Sequence, residues 1–228
     1  MKATSHIFIL ALLALLTAAC SGSKKYFKAA EKLEKQGLVG DAAGYYLESL
    51  QRKPTNVESR IKLREVGQKY VSSLASEFFR SYNTQQLEAG LETFERMKDF
   101  HARAAALDVK LDYPKNYEDD YNKSVETYCA KNYNQAFLLV NQKKYNESLP
   151  FIEKIKKYNN SYRNLPQLEI VATCEPLYQS AINNLENKNY SGALQLLTSI
   201  RSKTEDYKDL GDLLELATAQ QTKSFILF

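Results

Sequence analysis

The chain has no tryptophan, and only two histidines, three cysteines, five prolines and eight glycines among its 228 residues. Neither His6 nor His101 has a second histidine nearby, which leaves little for a histidine-based metal site or a nucleophile–histidine pair. There is also no Gly-rich phosphate loop and no cluster with metal-ligand spacing, so the expectation is a chain that is not an enzyme, with no catalytic residue, no metal and no cofactor. The scarcity of glycine and proline argues against strand-rich folds, which need many turns. A formal charge of +4 with acids and bases interspersed lacks the clustered basic footprint of nucleic-acid binders, so no nucleic-acid partner is expected. Long apolar runs are missing too: the continuous stretch Ile7–Leu16 covers only about half of a ~30 Å hydrocarbon core, too little for a stable transmembrane helix.

That short run has another meaning. Lys2 precedes it, Thr17, Ala18 and Ala19 are small, and Cys20 follows at once. A positive start, an apolar centre and a small-residue cleavage site are the parts of an export signal. Ala18-Ala19-Cys20 resembles the lipobox of bacterial lipoproteins, although Thr17 stands where that family usually has Leu, with Leu16 one further back. The resemblance implies cleavage before Cys20 and acylation of that cysteine. One acyl chain anchors only marginally, at ~0.8 kcal/mol per buried CH₂, whereas three on one residue hold permanently. Ser21, with nothing acidic in the following SGSKK, implies by that family's sorting rule the periplasmic face of the outer membrane. The expected division is a signal peptide over 1–19, a lipidated cysteine and short tether over 20–23, N-terminal helices over 24–115 and long helices over 116–228.

From Lys24 onward the apolar spacing is three to four residues, the period of amphipathic helices. Phe27, Ala30 and Leu33 lead to Gly37, a favoured left-handed helix end; Ala42, Tyr45, Tyr46 and Leu50 lead to Pro54, which stops the second helix. Ala30, Leu33, Gly37, Ala42, Tyr46 and Pro54 stand at spacings that resemble the tetratricopeptide repeat, a helix–turn–helix unit. In some members of that family a Lys and an Asn clamp a peptide carboxylate; the matching positions here are Phe27 and Glu31, so the clamp is absent. Val57 to Phe79 reads as a longer helix. Thr84–Lys98 and Phe100–Leu111 read as a degenerate pair, with Leu91, Phe94, Met97, Ala104 and Leu107 inward.

The C-terminal half repeats itself without a gap at an offset of 45 residues, with identities at Tyr117/Tyr162, Cys129/Cys174, Tyr133/Tyr178, Ala136/Ala181, Lys143/Lys188, Tyr145/Tyr190, Leu149/Leu194 and Ile155/Ile200. Tyr207 opens a third copy. A fixed period of this kind means repeated helical units, each with a first helix of about 25 residues or ~38 Å. Val125, Cys129, Tyr133, Ala136 and Val140, and their counterparts Ile170, Cys174, Tyr178, Ala181 and Leu185, form one core stripe per copy. The sixteen tyrosines are partly explained by such contacts, in which each hydroxyl needs a partner. Asn146 is expected to cap the second helix of the first copy, and Pro176 to kink or break the long helix of the second near Thr173–Glu175.

Cys129 and Cys174 invite a disulfide, yet equivalent positions on packed helices sit ~8–10 Å apart, against the ~7 Å limit for a bridge, which favours two buried thiols. Lys24, Lys28, Lys32 and Lys35 form either a basic stripe turned to anionic head groups or a solvated face with Glu31 and Glu34 interleaved. Glu118, Asp119 and Asp120 favour a helix dipole. The expected fold is all-α, an elongated stack of antiparallel, tetratricopeptide-like helical hairpins, roughly ten helices in all. The expected role is a protein-interaction scaffold of an envelope complex, bound to the outer membrane through acylated Cys20. The alternative is a ligand- or glycan-binding lipoprotein serving a transporter.

Overall fold

A computed structural model describes residues 22–226, and among these every regular element is an α-helix. Helix α1 covers residues 22–35. It is followed by α2 (Val39–Arg52), α3 (Val57–Asn83), α4 (Leu87–Ala105), α5 (Tyr117–Asn141), α6 (Tyr145–Lys156), α7 (Leu165–Glu186), α8 (Tyr190–Arg201) and α9 (Leu210–Ile226). The expected lipobox and Cys20 lie outside the described residues, as do Leu227 and Phe228. No helix among the described residues is long and apolar enough to cross a membrane.

The helices follow the predicted stripes except at Tyr45, which is exposed on α2 beside buried Tyr46. Ala30, Ala42, Tyr46, Cys129, Ala136, Cys174 and Ala181 are fully buried, and Leu33, Tyr133 and Tyr178 are half-buried beside them. Cys129 and Cys174 are buried free thiols, and burial pushes the Cys129 thiol above its ordinary value. Gly37 adopts φ +76°, with its N–H on Glu34 O and the Leu38 N–H on Leu33 O. The same pair of bonds closes α3 at Gln85, α5 at Lys143 and α7 at Lys188, each with φ between 56° and 60°. A left-handed residue at this position satisfies two helix-end carbonyls, and glycine fills it most cheaply. Asp108 closes α4 in the same way, with φ 57°, so only one of the five turns uses glycine and the other four carried no glycine signal to read.

The chain divides into two compact units, 1–125 and 126–228. The division falls inside α5, ten residues beyond the expected boundary after 115. In the first unit α2 packs on α3 and α3 on α4, around a core that includes Leu47, Leu63, Phe78, Phe94 and Met97. In the second, α7 packs on both α6 and α8, and α8 on α9.

Four expectations change. The degenerate pair over 84–111 is a single helix, α4, because Gly90, Phe94, Met97 and Phe100 continue one buried stripe through Lys98–Asp99; residues 109–114 form no regular element. Leu107 is half-buried outside that helix. Pro176 lies within α7, which runs unbroken from Leu165 to Glu186 between its two packed neighbours. Asn146 is inside α6, whose N-cap is Lys144; in the second copy it is Asn189 that caps, its side chain accepting from the Gly192 N–H at 3.1 Å. Finally, α1 begins before residue 24. Gly22 and Ser23 are already helical, and Ser23 is fully buried, so the tether expected over 20–23 does not extend that far.

Candidate functional site

Ser23 sits at the centre of a buried polar knot that joins the start of α1, the end of α2 and the start of α3. Its hydroxyl donates to Ser49 O at 2.9 Å, and the Ser49 hydroxyl donates to Ser23 O at 2.8 Å. Ser49 and Ser59 share a hydroxyl–hydroxyl bond of 2.8 Å. Asn56, the N-cap of α3, accepts from the Ser59 N–H at 3.1 Å and donates to the Ser23 hydroxyl at 3.1 Å. Small side chains let three helices approach closely, and each buried oxygen finds a partner, as burial requires. Ser49→Ala removes the group that serves both Ser23 and Ser59. The expected loss is about 2 kcal/mol, measured by denaturant unfolding; a change below about 0.5 kcal/mol would show that the knot does not pin α1.

Around this buried knot the surface is cationic. Lys24, Lys25, Lys28, Arg52 and Lys53 are all exposed. The Arg52 side chain lies along Gly22, donates to the Tyr26 hydroxyl at 3.2 Å, and holds its guanidinium 4.5 Å from the Tyr26 ring centre. A cavity of about 760 Å³ opens at this end, with Lys24, Lys28 and Lys53 on its walls beside Phe27, Glu31 and Glu58. All four predicted lysines, including Lys32 and Lys35, are exposed on α1.

The solvated-face reading of that helix fails at Glu34. Its carboxylate accepts from the Tyr46 hydroxyl at 2.6 Å and from Lys62 at 3.0 Å, tying α1 to α2 and α3. The Tyr46 hydrogen bond, with Lys62 in support, holds the Glu34 carboxyl below its ordinary value against the effect of burial. Burial and Glu34 in turn push the Tyr46 hydroxyl far up.

A second feature of the first unit lies along α3. Ile61 is 62% exposed, and Val57, one turn before it, 65%. Ile61 and Arg64 line two grooves at once. One, of about 800 Å³, continues along Glu65, Gln68 and Lys69; the other, of about 290 Å³, is closed by Asp108 and Lys110. Arg60 fixes the second wall, donating to Leu107 O at 2.6 Å.

The second unit carries a repeated tyrosine–cation contact. The rings of Tyr133 and Tyr162 are 6.0 Å apart at 67°, and those of Tyr178 and Tyr207 are 6.0 Å apart at 68°. Arg163 covers the first pair at 5.5 and 5.1 Å, and Lys208 the second at 4.3 and 5.6 Å. Both cations have positive φ, 47° and 49°. The tyrosines were legible as repeat positions; the cations were not, because Arg163 and Lys208 are not identical and contribute only when the backbone turns left-handed. Hydroxyl partners complete the contact: Tyr162 donates to Glu126 at 2.7 Å, Tyr178 to Asp209 at 2.7 Å and Tyr207 to Glu175. Burial and Glu126 push the Tyr162 hydroxyl up to about 12; the Asp209 bond and burial do the same for Tyr178.

A groove of about 820 Å³ also runs between α8 and α9, lined by Leu194, Thr198, Arg201, Leu214 and Glu215. Among the described residues no group of three His, Cys, Asp or Glu side chains is placed to hold a metal ion. No protein-family model, no curated protein and no solved structure matches the chain.

Proposed function

We propose that this chain is a lipid-anchored scaffold on the periplasmic face of the outer membrane, a tetratricopeptide-like stack of antiparallel helical hairpins that binds a protein of an envelope complex. The observation that carries the binding role is the Ile61–Arg64 ridge, an apolar residue left exposed between two grooves with charged walls. An apolar centre inside a polar rim is the composition of a protein-binding patch, and grooves along a helix suit an extended or helical segment of a partner. The stacked reading is supported by the left-handed turn that closes α1, α3, α5 and α7 alike and by the tyrosine–cation contact that recurs at the 45-residue period. The glycan-binding alternative draws less support, since exposed Tyr45, Phe79 and Phe137 line none of the grooves described.

A photo-activated crosslinker placed at Ile61 in intact cells is expected to capture one discrete envelope protein, and the same group at Lys98 none. Equal capture at both positions, or none at Ile61 while a polysaccharide raises the melting temperature, would sink the scaffold reading. The anchor is tested separately. Cys20→Ala is expected to move the protein from the membrane fraction to the soluble fraction; a variant that stays with the membrane refutes acylation at Cys20.

A further inference from the structure

We infer that the end of the first unit formed by the start of α1 and the α2–α3 turn rests against an anionic phospholipid surface, with Lys24, Lys25, Lys28, Arg52 and Lys53 meeting the head groups. Three observations carry it. First, Ser23 is locked into the core by Ser49, Ser59 and Asn56. Cys20 is therefore within three residues of a rigid position, and its Cα is at most ~7 Å from that of Gly22 however the chain runs. An anchor there has almost no freedom to hold this end away from the bilayer.

Second, the charges sit at that end. Lys24 and Lys25 lie in the first turn of α1, Lys28 one turn on, and Arg52 and Lys53 close α2 against Gly22. None of Lys24, Lys25, Lys28 and Lys53 forms an ion pair with another described residue, whereas Lys62 and Lys69, farther along α3, are paired to Glu34 and Glu65. The carboxylates that line the cavity with Lys24, Lys28 and Lys53 are Glu31 and Glu58, which leaves an excess of cations there. Lys32 and Lys35 lie farther along α1, so the working surface is the end of the bundle and not the length of the four-lysine stripe.

Third, the cluster borders a space. The cavity beside Lys24, Lys28 and Lys53 has Phe27 and exposed Val57 on its walls, apolar side chains beside basic ones. Tyr26, held by Arg52, and Tyr45, with its ring 5.7 Å from that of Tyr26, add amphipathic rings of the kind that favour the head-group level. Each basic residue close to an anionic membrane surface strengthens binding about fivefold.

The inference rests on the lipid-anchor reading for what brings the surface near, and the test separates the two. The full-length chain, isolated from cells and carrying a fluorescent donor at Thr55→Cys, is mixed with vesicles of phosphatidylcholine alone or with added phosphatidylglycerol, both containing head-group-labelled acceptor lipid. Sedimentation with the vesicles reports attachment, and energy transfer reports docking of this end. The expected result is attachment to both vesicles, with greater transfer on the phosphatidylglycerol vesicles. The combined change Lys24→Ala with Lys53→Ala is expected to lower that docking equilibrium about 25-fold, with salt acting in the same direction. Lys98→Ala with Lys131→Ala removes the same charge elsewhere and should leave docking unchanged. Attachment with equal transfer on both vesicles overturns the inference and spares the anchor, as does an equal fall in both double variants. Attachment to phosphatidylglycerol vesicles alone overturns the anchor and supports the inference. Attachment to neither overturns both.

Discussion

Phe94→Ala is expected to destabilise the first unit by about 4 kcal/mol, the range for an aromatic ring removed from a closed core. Phe94 is fully buried on α4. Its ring stacks on Tyr121 at 4.4 Å, meets Phe78 at 5.0 Å and approaches Tyr113 at 6.2 Å. Truncation therefore removes the piece on which α3, α4 and the first part of α5 converge. The loss should appear as faster amide hydrogen exchange across those helices, together with a lower denaturant midpoint. Phe94→Leu keeps most of the volume and should cost no more than about 1.5 kcal/mol. If Phe94→Ala costs under about 1 kcal/mol, these helices do not share one core.

Glu175→Ala should cost the second unit about 3 kcal/mol. Glu175 is a carboxylate only 9% exposed, inside α7 one residue before Pro176. It accepts from the buried hydroxyl of Tyr207, from Lys208 at 2.7 Å and from the Gln179 amide at 3.0 Å. Burial raises the carboxyl, but these three donors together hold it below its ordinary value of 4.5. Lys208 is nearly half exposed, so its Coulomb attraction is largely screened and contributes the lesser part. The larger cost is the Tyr207 hydroxyl left buried without an acceptor. Because the folded carboxyl titrates below the unfolded one, its contribution is complete above the ordinary value and disappears as the pH falls through the folded value. The difference in stability between the native chain and Glu175→Gln should therefore hold steady from about pH 6 to 8 and shrink below about pH 4. A difference that grows on acidification would mean the carboxyl is raised, and the assignment of its donors would be wrong.

Much of the helical layout was readable along the chain. Ala30, Ala42 and Tyr46, and Cys129, Ala136, Cys174 and Ala181, are buried where their spacing placed them, because a helix repeats its faces every 3.6 residues whatever surrounds it. Gly37 was legible for the same local reason. Gln85, Lys143 and Lys188 adopt the same left-handed turn without glycine, which costs backbone strain that the packed helices on either side impose. Glu34 illustrates the opposite limit. On a helical wheel it is an ordinary exposed acid, and only the approach of Tyr46 and Lys62, from two other helices, makes it a tie between three elements.

By itself, then, the order of residues determined an all-helical chain, its turn at Gly37, its 45-residue period and the faces that go inside. These are consequences of spacing between near neighbours in sequence. The tertiary structure decided that Ser23 belongs to the core, that 87–105 is one helix, that the two units divide within α5, that α7 continues through Pro176, and which carboxylates Tyr46, Tyr162 and Tyr207 find. Those outcomes depend on free energies of contact between residues tens of positions apart: Ser23 with Ser49, Tyr46 with Lys62 through Glu34, Tyr207 with Glu175. No local period encodes such pairs, because whether a polar side chain is stabilising depends on the partner that burial brings to it.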